Sequence, residues 1–151
     1  MVEKDKAILS FFKKAVLPLF PNKEKINLVE GDAIDFAKNH KEGDYDVLFA
    51  DLLHTGEDGL GIYANLKRNE GAARENHYWV EEEMLIYFRR LYLRYIAYVK
   101  LGEREFLEDI EPSPYFRQLK KALEKNPTLE EDTKTLLSKE NLLKALLEII
   151  E

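Results

Sequence analysis

The sequence predicts an α/β protein, with a partial parallel sheet of two or three strands followed by a mostly helical C-terminal half. Three observations lead there. Residues 1–51 alternate helical and strand-like periodicity. The two strand-like runs each lead into a carboxylate. Beyond about residue 71 the apolar residues recur at helical spacing. The chain accordingly divides into an α/β region, 1–70, and a helical region, 71–151, packed on it.

The first element is a helix over Asp5–Phe20, because Ala7, Ile8, Phe11, Phe12, Ala15, Val16 and Leu19 recur at three and four, and Pro18 and Pro21 close it. Lys23-Glu24-Lys25 is a polar loop. Ile26, Leu28 and Val29 form a short apolar strand, after which Asp32 caps a helix running to about Lys38. Glu42-Gly43-Asp44 is a turn, and Tyr45–Asp51 contains the continuous apolar run Val47-Leu48-Phe49-Ala50, the pattern of a strand covered on both faces. Gly56, Gly59 and Gly61 then suggest a loop at the carboxyl end of the sheet, where ligands of open α/β sheets bind. A long aromatic helix is expected over Tyr78–Lys100, followed by a break at Pro112 and Pro114 and a helix over Tyr115–Lys125. Thr128 and Glu131 have the spacing of a capping box, and Ser138 caps a last helix with an apolar face of Leu142, Leu143, Ala145, Leu146, Ile149 and Ile150.

Composition narrows the function classes. At 45% hydrophobic and 34% charged, the 151 residues suit a folded globular chain. A net charge of −6 leaves no footprint for phosphate-backbone binding, so nucleic acid is not expected as a partner. The absence of cysteine removes disulfides, thiolate metal sites and cysteine nucleophiles. No apolar run approaches the roughly 20 residues that span a bilayer, and a soluble, cytoplasmic protein without a membrane partner is expected.

The candidate functional residues are carboxylates at strand ends. Glu3 can accept from both hydroxyls of a ribose, or can serve as a charge near the first helix. In Glu30-Gly31-Asp32-Ala33, the glycine admits a flat ligand and the Asp32 carboxylate can accept from an exocyclic amine, while equally suiting a helix N-cap. Asp51 can orient or deprotonate a nucleophile, and His54 follows three residues later. Asp51, His54, Glu57 and Asp58 have no spacing that fixes them around a metal, and no metal is expected. The aromatic run Trp79, Tyr87, Phe88, Tyr92, Tyr95 and Tyr98 reads as core or as an oligomer interface.

Together, Val2-Glu3-Lys4-Asp5, Val29-Glu30-Gly31-Asp32-Ala33 and Tyr45-Asp46-Val47-Leu48-Phe49-Ala50-Asp51-Leu52 resemble successive motifs of class I S-adenosylmethionine-dependent methyltransferases and the related spermidine synthases, over residues 1–66. The resemblance implies a Rossmann-like sheet and S-adenosylmethionine as cofactor. It makes Glu3 the ribose-binding acid and Asp32 with Gly31 and Ala33 the adenine-binding segment, and it puts Asp51 where spermidine synthases have a catalytic aspartate and methyltransferases have substrate-site residues. The first strand and glycine-rich loop of that family have no counterpart here. The expectation is therefore a C-terminal portion of a larger transferase, most simply a methyltransferase, inactive as an isolated chain. An aminopropyltransferase, with Asp51, Glu57, Asp58 and Tyr63 around a polyamine, and a non-enzymatic oligomerising module are the alternatives. A sheet without its first strand has an exposed edge, so a homo-oligomer formed through that edge or through the aromatic helix is expected.

Overall fold

The computed structural model describes residues 1–126, 136 and 138–151. Among these the chain is α/β, with four strands in two separate two-stranded parallel sheets rather than in one partial sheet. Strands β1 (Val2–Glu3) and β2 (Val29–Glu30) form the first; β3 (Tyr45–Ala50) and β4 (Ala73–Tyr78) form the second. In the register Val2↔Val29 and Glu3↔Glu30, β2 covers only the end of the apolar run Ile26–Val29. The N-terminal ammonium donates to the Asn27 carbonyl at 2.8 Å and anchors this end of the pair.

The first helix is less regular than its periodicity suggests. Helix α1 (Lys6–Phe11) starts on Asp5, whose Oδ1 accepts from the Ala7 and Ile8 N–H groups, but it passes into a π-turn at Phe12–Val16 and a 3-10 turn at Leu17–Leu19. Proline at 18 has no N–H to continue the α-helical ladder. Only Leu9 of this segment is buried; Ile8, Phe11, Leu19 and Phe20 are exposed. Helix α2 (Ala33–Lys38) follows the expectation, with Asp32 as its N-cap.

Strand β3 forms where expected but is covered on one face, not two. Leu48 and Ala50 turn inward, whereas Tyr45, Val47 and Phe49 on the other face are exposed. Its partner β4 was not foreseeable, since Ala73-Arg74-Glu75-Asn76-His77-Tyr78 is polar and lacks apolar alternation; it becomes a strand by pairing with β3 from Tyr45↔Ala73 to Ala50↔Tyr78. Tyr78 thus ends a strand instead of opening the aromatic helix. The chain reverses through Val80, a β-branched residue at φ 56°, a costly backbone setting for any side chain of this shape.

The glycine-rich segment is a helix, α3 (Gly56–Arg68), not a loop. Its glycines let α3 lie close to α4 (Glu81–Leu101): a Cβ on Gly56 would stand 2.2 Å from Cγ of Tyr87. Close helix contact thus outweighs the low helix propensity of glycine. Helices α5 (Pro114–Lys125) and α6 (Lys139–Ile149) complete the layer, α6 capped by Ser138. Arg68 donates to the Leu147 and Ile150 carbonyls and closes the C-terminal end of α6. The capping-box pair Thr128 and Glu131 lies outside the described residues.

One hydrophobic core runs from Leu53 to Ile150, built on Leu60, Tyr63, Phe88, Leu91, Tyr92, Phe116, Leu119, Leu142 and Leu146. Phe88, Tyr92 and Tyr95 of the aromatic run belong to it, while Trp79 is exposed. Of the buried apolar residues only Leu9, Ala37 and Ala50 precede Leu53. The cohesive part of the molecule is therefore helical, and the two small sheets are its periphery. No helix among the described residues is long and apolar enough to cross a membrane.

Candidate functional site

The carboxyl ends of β1, β2 and β3 open onto one cleft of about 600 Å³, a size suited to a small-molecule ligand. Helix α2 packs on β1 and on α3, and residues of all three elements line this cleft. Glu3, Gly31, Asp32, Ala33, Asp51 and His54, all nominated from the sequence, line it together. They come from three strand ends up to 51 positions apart (54 minus 3).

Local backbone chemistry orients the acids. Glu3 Oε1 accepts from the Asp5 N–H at 2.7 Å, pinning the side chain over the start of α1. Asp32 Oδ1 accepts from the Ile34 N–H at 2.8 Å and the Asp35 N–H at 3.2 Å. In both, one carboxylate oxygen is engaged by the chain's own backbone and the other has no hydrogen bond among the described residues. Helix capping and ligand binding are therefore compatible at Asp32. The side chains of Asp51 and His54 make no hydrogen bond among the described residues and are exposed at the mouth.

Several lining residues carried weak sequence signals. Asp58 closes the start of α3: the Thr55 N–H and hydroxyl both donate to its Oδ1, at 3.0 and 2.9 Å. Those two bonds, the backbone one first, hold its carboxyl below the ordinary value, and the charge of His54 adds to them. Ile8 and Ile62 supply apolar wall. They stand three residues after Asp5 and four after Asp58, helical spacings that put each beside an acid already at the cleft. Lys4 is the cleft's one lysine; Glu3, Asp5, Asp32, Asp51 and Asp58 make it strongly acidic.

The other acids considered stand elsewhere. Glu57 does not line the cleft, and Tyr63 is fully buried, donating to Glu81 Oε1 at 2.7 Å. Around that bond is a half-buried cluster in which Lys67 pairs with Glu70 at 2.6 Å and Glu81 at 3.3 Å, and Lys139 reaches Glu81 at 3.0 Å. The Lys67 ammonium also lies 4.8 Å from the Tyr78 ring centre. Burial first, then the neighbouring carboxylates, push the Tyr63 and Tyr78 hydroxyls far up. Glu81 is held below its ordinary value: burial raises it, but the Tyr63 and Lys139 hydrogen bonds and the Lys67 charge outweigh that. This cluster ties α3, β4, α4 and α6 together and faces no cavity lined by the acids above.

No family model matches the chain, and neither a curated protein nor a solved structure does. The cleft's chemistry is accordingly read from its own residues. Carboxylates with one free oxygen each accept hydrogen bonds from hydroxyl and amine donors, and their net negative charge favours a cationic ligand. Among the described residues, no three His, Asp or Glu side chains are grouped so as to hold a metal ion.

Proposed function

We propose that this chain is part of an S-adenosylmethionine-dependent transferase, most simply a methyltransferase, with the cleft as its nucleoside site. The observation that carries the reading is the meeting of Glu3, Gly31-Asp32-Ala33, Asp51 and His54 at one cleft beyond the carboxyl ends of parallel strands.

The residues fit the cofactor's nucleoside and sulfonium ends. The free oxygen of Glu3 meets the ribose hydroxyls, and that of Asp32 meets an exocyclic amine. At Gly31 no heavy atom stands within 4 Å of where a Cβ would be, which leaves room for a flat base. The acidic lining suits the cofactor's positive charge, and Lys4 is the partner for its carboxylate. The cofactor, when bound, supplies a methyl group already activated on sulfur. Asp51 then orients the nucleophile or takes its proton at a carboxylate oxygen, with His54 beside it; positioning provides most of the rate.

Aminopropyl transfer is the second reading. Asp51 and Asp58 favour it, since both line the cleft and both attract a polyamine ammonium.

Calorimetric titration with S-adenosylhomocysteine tests the proposal. Binding is expected in the wild type and at least about ten-fold weaker, near 1.4 kcal/mol, in Asp32→Asn and Glu3→Gln. Asparagine caps a helix as well as aspartate, so α2 survives the first change. No heat at millimolar ligand, or unchanged affinity in both variants, refutes the reading.

A further inference from the structure

Strands β3 and β4 run in register from Tyr45↔Ala73 to Ala50↔Tyr78, and the Trp79 N–H donates to the Ala50 carbonyl at 2.9 Å. That bond carries the ladder past its last pair and sets Trp79 beside Asp51, a carboxylate at the mouth of the cleft. Neighbouring strands stand about 4.8 Å apart, and side chains two positions apart share a face. Phe49 and Asp51 on one strand therefore adjoin His77 and Trp79 on the other, all four exposed on the open face of the sheet. Leu48, Ala50, Asn76 and Tyr78 face the other way and are buried or half-buried.

Trp79 is the single tryptophan of the chain. It is 57% exposed, and Phe49 on the same face is 63% exposed. The residue that follows, Val80, is the one non-glycine residue at positive φ among the described residues. Backbone strain of this kind collects at ligand clamps, and here it fixes the point where β4 ends and Trp79 projects. Asp51 is the acid of these strands with its charge uncommitted. Asp46 has Arg74 within 3.3 Å and Glu75 has His77 within 3.7 Å, whereas Asp51 has no ion pair among the described residues.

We propose that Trp79 and Asp51 form an acceptor subsite beside the cleft, and that it takes an aromatic primary amine. The ring lies on the exposed indole, and the ammonium donates to the Asp51 carboxylate. The indole offers a flat apolar face for a second ring, and the carboxylate a charge-assisted acceptor. One strand spacing separates them, a span that suits an ammonium carried two carbons from a ring. On this side of Asp51 a linear polyamine is poorly served, because its further ammonium groups would lie over Phe49 and Val47, which have no counter-charge to give. The subsite deepens the transferase reading and rests on it for the amine's part as acceptor. Trp79 does not line the cleft, so the nucleoside and the amine occupy different sides of Asp51.

Trp79 is also the reporter. Phenethylamine is titrated into the full chain at physiological salt and followed by tryptophan emission, with the amide shifts of residues 49–52 as the readout for variants without the indole. Binding in the millimolar range is expected, since exposed cation and ring contacts are individually weak. Asp51→Asn and Trp79→Leu each weaken it at least about ten-fold, and Trp79→Phe restores most of the loss. Spermidine leaves the emission unchanged, and so does phenylpropionate, which carries a carboxylate where the amine has its ammonium. The titration contains no nucleoside: a chain that binds the amine but not S-adenosylhomocysteine keeps this subsite and loses the nucleoside reading, and the reverse result loses only the subsite. Four results overturn the proposal: emission and amide shifts unchanged well above millimolar amine, equal affinity in Asp51→Asn, an equal response to phenylpropionate, or an indole already buried in a dimer of the free chain.

Discussion

Replacing Gly56 with alanine sets two effects of opposite sign against each other. In a helix the exchange ordinarily stabilises by about 0.5–1 kcal/mol, because alanine loses less backbone freedom on folding. Here the new Cβ would stand 2.2, 2.3 and 2.6 Å from Cγ, Cβ and Cδ1 of Tyr87, where ordinary contact begins near 3.4 Å. The shortfall of about 1.2 Å (3.4 minus 2.2) falls on the root of the Tyr87 side chain, so no rotamer change clears it. Either α3 and α4 separate or Tyr87 shifts and gives up its 3.1 Å hydrogen bond to Ser113 Oγ. Overpacking of this kind costs about 1–3 kcal/mol and a lost hydrogen bond about 1. The net expectation is a loss of roughly 1–3.5 kcal/mol. Urea unfolding followed by far-ultraviolet circular dichroism measures it, with Gly71→Ala as the control because nothing lies within 4 Å of that position. Adding Tyr87→Ala removes the ring contacts but keeps the Cβ that would stand at 2.3 Å, so it should relieve only part of the cost, a coupling visible in the double-mutant cycle. A Gly56→Ala variant as stable as the wild type refutes the packing argument.

Two further predictions concern the polar cluster beneath β4. Lys67→Met leaves Glu70 and Glu81 half-buried beside one fewer cation, and with Lys67 only 13% exposed the loss should be about 2 kcal/mol in the same urea assay; no loss would mean that Lys139 alone suffices for Glu81. Glu81 also sets a pH dependence. Its carboxyl is held below the ordinary 4.5, so its contribution is full above that pH and disappears as the pH falls through the folded value. Glu81→Gln should therefore flatten the stability–pH curve below pH 4.5 and change its slope little between 6 and 8; identical acid slopes in the two proteins would remove Glu81 from the account.

The candidate site was more legible in the sequence than the sheet around it. Glu3, Asp32 and Asp51 stand where a strand ends, and strand ends in parallel layers point the same way, so their meeting at a cleft follows from local order along the chain. Asp32 was legible for a second reason: the N–H groups of Ile34 and Asp35 require an acceptor whatever else the residue does. Tyr63 was misjudged as a polyamine contact because nothing in its neighbours along the chain reveals that Glu81 waits 18 positions away.

The sequence by itself determined the caps, the last two helices and the position of β3, all products of interactions within a few residues. Asp5, Asp32 and Ser138 each satisfy N–H groups two or three positions on, and the apolar spacing of Leu142, Leu146 and Ile149 defines one buried helix face. Tertiary structure alone decided the rest. The polar run 73–78 is a strand because β3 offers it hydrogen bonds. Gly56, Gly59 and Gly61 are helical because Tyr87, Met84 and Tyr115 press against them. The face of Val47 and Phe49 is open because burial depends on what packs opposite, a property of partners distant in the chain rather than of the residues themselves.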